Sequence, residues 1–138
     1  MEEIIIDAKD CVLGRLASFI AKQARKGFKV IVLNAGKAIV VGKPKKILEK
    51  YLSRFRLGGT SQKGPFYSRT VIGIWKRAVR GMIGWKKASG KKAFKLIKFY
   101  EDVPKEYKNK ETVNVDRFKK KVTDFITVEK LSRLIRQK

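Results

Sequence analysis

Fourteen lysines and arginines stand between Lys50 and Tyr100, and those 51 residues include no aspartate or glutamate. Side chains of this type at this density do one kind of chemistry: they neutralise phosphates and release the counterions condensed around a nucleic acid. Globular surfaces ordinarily mix their charges, so a one-sign field this long calls for a polyanion to cover it. The excess is local. Residues 43–98 carry seventeen basic residues and one acid, Glu49, a net charge of +16, against +3 for residues 1–42 and +4 for residues 99–138. The candidates for phosphate contact are Arg54, Arg56, Lys63, Arg69, Lys76, Arg77, Arg80, Lys86, Lys87, Lys91 and Lys92. Glycines among them let backbone amides approach a phosphate closely. Aromatic residues are interleaved. Phe55 and Trp75 fall on helical apolar stripes and are expected in the core, whereas Phe66, Tyr67 and Trp85 sit in loops and are candidates for stacking on unpaired bases.

Other chemistries find little material. The chain has no histidine, which removes Ser-His-Asp and Cys-His nucleophiles and the commonest metal ligand. Its one cysteine, Cys11, permits neither an intrachain disulfide nor a cysteine zinc cage and reads as a small core residue. No metal and no cofactor are expected. A membrane surface would need an amphipathic helix with an apolar face to spare, and no run approaches the roughly 18 to 20 apolar residues of a span. The start Met1-Glu2-Glu3 lacks the basic and apolar regions of a signal peptide, so a reduced, cytoplasmic setting is expected. An RNA-modifying or nucleotide-dependent enzyme is the alternative, because the first elements form a βαβ unit. Neither G-x-G-x-x-G nor G-x-x-x-x-G-K-[ST] follows the first strand, however, and Val12-Leu13-Gly14-Arg15 has a single glycine at that turn. Asp7 and Asp10 suggest a carboxylate pair, but Asp7, just after a strand, is better explained by turn or cap chemistry.

The elements that must position the cations are legible. Ile4-Ile5-Ile6 and Val30-Ile31-Val32-Leu33 are buried strands. Between them Leu13, Leu16, Ala17, Ile20, Ala21 and Ala24 form one helical face, with Arg15, Lys22, Arg25 and Lys26 outside it and Gly27 as the stop. A strand, crossover helix and strand favour a parallel pair. Ala38–Val41 is a shorter β-like run. Pro44 opens a helix whose buried face is Ile47, Leu48, Tyr51, Leu52 and Phe55. Residues 58–69 are a loop. A helix over Val71–Met82 turns Val71, Ile74, Trp75, Ala78, Val79 and Met82 inward. Gly84–Lys92 is a second basic loop, and Leu96–Tyr100 is a strand. Residues 112–115 could form a short edge strand. Thr127 is the N-cap of a last helix with Val128, Leu131, Leu134 and Ile135 inward. The expectation is an α/β fold in one three-layer α/β/α domain over residues 1–138. It comprises a core over 4–104, an extended surface segment over 105–126 and a C-terminal helix over 127–137.

Four segments in order carry a resemblance: LGRLAS (Leu13–Ser18), VLNAGKAIVVGK (Val32–Lys43), RAVRGMIG (Arg77–Gly84) and GKKAFKLIKFYEDVP (Gly90–Pro104). The Gly58-Gly59 turn and KGPFYSR (Lys63–Arg69) agree with them. Together they resemble the family of the thirteenth protein of the large ribosomal subunit over most of residues 4–104, and ITVEKLSRLI (Ile126–Ile135) resembles its archaeal branch. The resemblance implies a parallel four-stranded sheet between helices. It also implies a noncatalytic component that contacts large-subunit rRNA and neighbouring ribosomal proteins and supports early subunit assembly, with no homo-oligomer. Family members can also repress translation by binding messenger RNA. One departure stands out: where the family usually has Leu-Pro after the RGM triplet, this chain has Ile83-Gly84, so the path of residues 85–92 is the least constrained by the resemblance.

Overall fold

The computed structural model describes residues 2–55, 69–119 and 123–137. The elements in chain order are β1 (Glu3–Asp7), α1 (Leu13–Arg25), β2 (Lys29–Leu33), β3 (Ile39–Val41), α2 (Pro44–Phe55), α3 (Val71–Ile83), α4 (Ala88–Lys95), β4 (Ile97–Phe99), β5 (Phe125–Thr127) and α5 (Val128–Gln137). The two β-branched runs pair in parallel, with Ile4 opposite Val30 and Ile6 opposite Val32. Helix α1 is the crossover that a parallel pair needs, and all six residues of its predicted apolar face are buried. β4 joins the far side of β2, also in parallel, with Val30 opposite Ile97 and Val32 opposite Phe99.

The pleat sends alternate residues to opposite faces. Ile6, Val30, Val32, Ile97 and Phe99 share the main core with Leu16, Ile20, Trp75 and Val79 of α1 and α3. Ile5, Ile31 and Leu33 point the other way, onto Tyr100, Val103 and Tyr107 of the segment after β4. The α/β class with a mostly parallel sheet is therefore as expected, but among the described residues the parallel sheet has three strands, in the order β1-β2-β4. β3 forms where its β-branched run predicts, yet it leaves that sheet. Asn34, in the left-handed conformation at φ 55°, and a 3₁₀ turn at Ala35–Lys37 redirect the chain after β2. β4 occupies the place beside β2, and β3 pairs antiparallel with β5, Ile39 opposite Thr127.

Helices α2 and α5 cover this ribbon, Ile47, Leu131 and Ile135 packing with Ile126 of β5. Thr127 caps α5 as its side chain predicts: its Oγ1 accepts from the Lys130 N–H at 3.2 Å. Ser132, fully buried on α5, donates its hydroxyl to the Arg69 carbonyl and accepts from Arg136 Nη2 at 2.9 Å. The chain entering α3 is thus tied to α5.

The segment after β4 is more engaged than an extended surface stretch. Tyr107 and Val115 are buried, and Phe118 lies 5.3 Å from the Phe19 ring, centroid to centroid. Residues 112–115 do not form the expected strand; a single bond, from the Val113 N–H to the Ile5 carbonyl at 2.8 Å, runs along the edge of β1. Cys11 is the small core residue anticipated. It is fully buried, its thiol faces the Asp7 carbonyl at 3.7 Å, and burial pushes its pKa up to about 11, so it stays protonated and unreactive at neutral pH.

Candidate nucleic-acid interface

The cations of the middle region are sorted by helix α3. Its buried stripe is Val71, Ile74, Trp75, Val79 and Ile83, which leaves Lys76, Arg77 and Arg80 exposed. Met82, expected inward, is 45% exposed: it stands at the edge of the stripe, beside Ala21 and Lys22 of α1. Thr70 fixes the start of the helix, its Oγ1 accepting from the Gly73 N–H at 3.0 Å. Gly84 fixes its end in the left-handed conformation, at φ 74° and ψ 47°. A proline is held near φ of about −65° and could not make this turn. Gly84 therefore permits a helix ending that a proline at this position would not.

The second basic loop is half helix. Residues 84–87 turn, the Lys87 N–H donating to the Gly84 carbonyl at 3.0 Å, and α4 begins at Ala88. Ser89-Gly90 reads as a turn signal, but Gly90 is required by packing. A Cβ there would sit 2.0 Å from the Gly84 carbonyl oxygen, so α4 passes directly beneath the end of α3. Gly90→Ala should destabilise the fold by about 1 to 3 kcal/mol, because the obstructing atom is backbone and cannot rotate away. A urea-unfolding midpoint unchanged from the parent would refute that contact.

This corner gathers part of the predicted site. Arg77, Arg80, Lys86 and Lys87 line one cleft of about 590 Å³ together with Gly81, Gly84 and Trp85. The Trp85 ring is half-buried under two cations, with the Arg80 guanidinium carbon 3.9 Å and Lys91 Nζ 4.8 Å from its centroid. Lys91 and Lys92 are exposed on α4, while Gly90 and Ala93 face inward. Lys76 is exposed on α3, and the Arg69 side chain is exposed at its foot. Arg54 stands apart on α2, its guanidinium 5.3 Å from the Tyr51 ring centroid. Arg56, Lys63, Phe66 and Tyr67 lie outside the described residues. Of the two aromatics expected in the core, Trp75 is fully buried, while nothing is described of the Phe55 side chain. The ion pairs Lys119–Asp116, at 3.0 Å, and Arg133–Glu129, at 3.5 Å, belong to other parts of the molecule.

Sequence reasoning passed over a second group. Lys22, Arg25 and Lys26 border a cleft of about 340 Å³ with Ser18, Ala21 and Met82, where α1 packs on α3. Their position outside the apolar stripe was visible, but three cations in a nearly balanced stretch carry no signal until the fold sets them beside α3. Among the described residues no group of three histidine, cysteine or acidic side chains is placed to hold a metal, and no helix is long and apolar enough to cross a membrane.

Comparison with known proteins gives matches over most of the chain. Residues 1–106 match the model of the family described as ribosomal protein L13. A protein of Picrophilus torridus named large ribosomal subunit protein uL13 is 35% identical over 133 residues, covering 96% of both chains. Proteins of the same name from Methanopyrus kandleri and Haloarcula marismortui are 44% identical over 104 residues and 42% identical over 98. These matches take in 75% and 71% of this chain but only 65% and 66% of those two relatives.

Proposed function

We propose, because this chain belongs to the ribosomal protein L13 family, that it is a structural constituent of the large ribosomal subunit which binds large-subunit rRNA and supports early subunit assembly. The observation that carries the reading is the corner between α3 and α4, where Arg77, Arg80, Lys86 and Lys87 converge on one cleft within a stretch that has no acidic residue. The family is a structural part of the ribosome and not an enzyme, which sets aside the RNA-modifying or nucleotide-dependent alternative.

The mechanism is charge neutralisation on a rigid support. Buried faces of α1, α3 and the sheet fix the helices, and the helices hold arginines and lysines at set spacings. Arginine grips phosphate with two parallel bonds, whereas lysine acts as a hydrated point charge. Arg54, Arg69, Lys76, Lys91 and Lys92 extend the contact beyond the cleft, with Arg56 and Lys63 proposed as further phosphate contacts and Phe66 and Tyr67 as stacking partners. Neighbouring large-subunit proteins, and not a second copy of this chain, complete the surroundings in the cytoplasm.

The test is sedimentation. Purified protein should pellet with large subunits and not with small ones, and cells depleted of it should accumulate early large-subunit precursors. Equal pelleting with both subunits, or normal precursor levels on depletion, would overturn the corresponding half of the proposal.

A further inference from the structure

The cleft at the α3–α4 corner is lined in part by two residues without side chains, Gly81 and Gly84. A Cβ built at Gly81 or at Gly84 would meet nothing within 4 Å, so the space over both glycines is open. One wall is the stack of Arg80 on Trp85, at 3.9 Å from the ring centroid. The rim carries Arg77, Lys86 and Lys87. A volume of about 590 Å³ lies within the range of about 300 to 1,000 Å³ usual for small-ligand pockets.

A duplex does not fit this shape. It is a rod with its phosphates outside and its bases stacked within, and it would rest across the rim without entering. Its deep, narrow major groove and shallow minor groove also leave side chains little of the bases to touch, so proteins reach RNA bases mainly at bulges, loops and ends. An extruded nucleotide does fit: a flat apolar ring for the interior, a phosphate on either side for the rim.

Resting on the rRNA-binding reading above, we infer that this cleft receives one unpaired nucleotide of the RNA. The base lies on the guanidinium plane of Arg80, in the open space over Gly81, in a three-layer stack of Trp85, Arg80 and base. The flanking phosphates meet Arg77, Lys86 and Lys87. The arginine is needed for its plane as well as its charge, because a lysine ammonium offers no surface to stack on.

The test uses two RNA hairpins of one sequence, each carrying 2-aminopurine, paired in one and bulged in the other, together with free adenosine monophosphate. The bulged hairpin should bind about ten- to a hundred-fold more tightly than the paired one, the range expected for one stacked base, and its emission should change on binding as the base leaves its neighbours in the RNA. Gly81→Leu fills the cleft without removing a charge and favours the helix; Arg80→Lys keeps the charge and removes the plane. Each should bring the ratio of the two affinities towards one and abolish the change in emission. Circular dichroism confirms that each variant is folded, and the surface position of Arg80 keeps the second informative if the first is not. Equal binding of both hairpins with unchanged emission would overturn the nucleotide pocket and leave RNA binding standing. Binding of the free nucleotide as tightly as the bulged hairpin would overturn the RNA source and assign the cleft to a small molecule. Failure to bind either hairpin or whole large-subunit rRNA would overturn the RNA-binding reading itself.

Discussion

Affinity for a large-subunit rRNA fragment is expected to fall by roughly 10³ to 10⁵ when salt is raised from about 50 to about 200 mM. Each phosphate neutralised by a lysine or arginine releases condensed counterions, and that release loses its value as bulk salt rises. About six to ten simultaneous phosphate contacts give a change of this size. The cleft supplies Arg77, Arg80, Lys86 and Lys87, and Lys76, Lys91 and Lys92 are exposed on α3 and α4, so the lower number is within reach of these two helices and the turn between them. Filter binding or fluorescence anisotropy across a salt series measures the slope. A binding constant flat with salt would mean that these cations face solvent in the complex and that recognition works by other means.

Trp75→Ala should cost about 3 to 5 kcal/mol of stability, a large part of the roughly 5 to 15 kcal/mol that holds a domain folded. Trp75 is the largest of the fully buried side chains. Its ring stacks on Phe99 of β4 with centroids 5.5 Å apart, and its indole N–H donates to the Ala35 carbonyl at 2.9 Å. One residue of α3 thus touches both the sheet and the turn that sends β3 out of it. Trp75→Phe separates the two contributions. It keeps most of the burial but leaves the Ala35 carbonyl without that donor, an expected loss of about 1 to 3 kcal/mol. Urea unfolding followed by circular dichroism reads both variants. A midpoint unchanged in Trp75→Ala would sink this account of the core. RNA affinity per folded molecule should be preserved, since the exposed cations of α3 lie off the stripe that carries Trp75.

Where one periodicity dominated, the sequence was readable. The face of α1, the paired β-branched runs, Pro44 at the head of α2 and Thr127 at the head of α5 all follow from spacing or from a single side chain's hydrogen bonding. Reading failed where a residue type has two physical uses. Gly90 resembles a turn glycine, but it is there because two backbones meet, and that hid the first turn of α4. Met82 sits at helical spacing from Val79 and Trp75, but the stripe is narrower than the spacing allows. Whether β3 would join β2 could not be read from its three apolar residues; that depended on the turn at Asn34 and on competition from β4 far along the chain. The cationic stretch was evident from composition, whereas its gathering into a cleft depends on the sharp turn at Gly84. Lys22, Arg25 and Lys26 show the converse: they join the surface only because α1 packs against α3.

The pairing of β3 with β5 also bears on how the protein is made. Ile39 and Thr127 face each other across 88 residues of chain, so a nascent polypeptide carries the β3 edge and the apolar side of α2 without partners until β5 and α5 have been synthesised. Contacts this distant in sequence close slowly, and unpaired edges are what invite aggregation meanwhile. A strongly like-charged stretch, lying between the early strand and its late partner, would keep neighbouring unfinished chains apart during that interval.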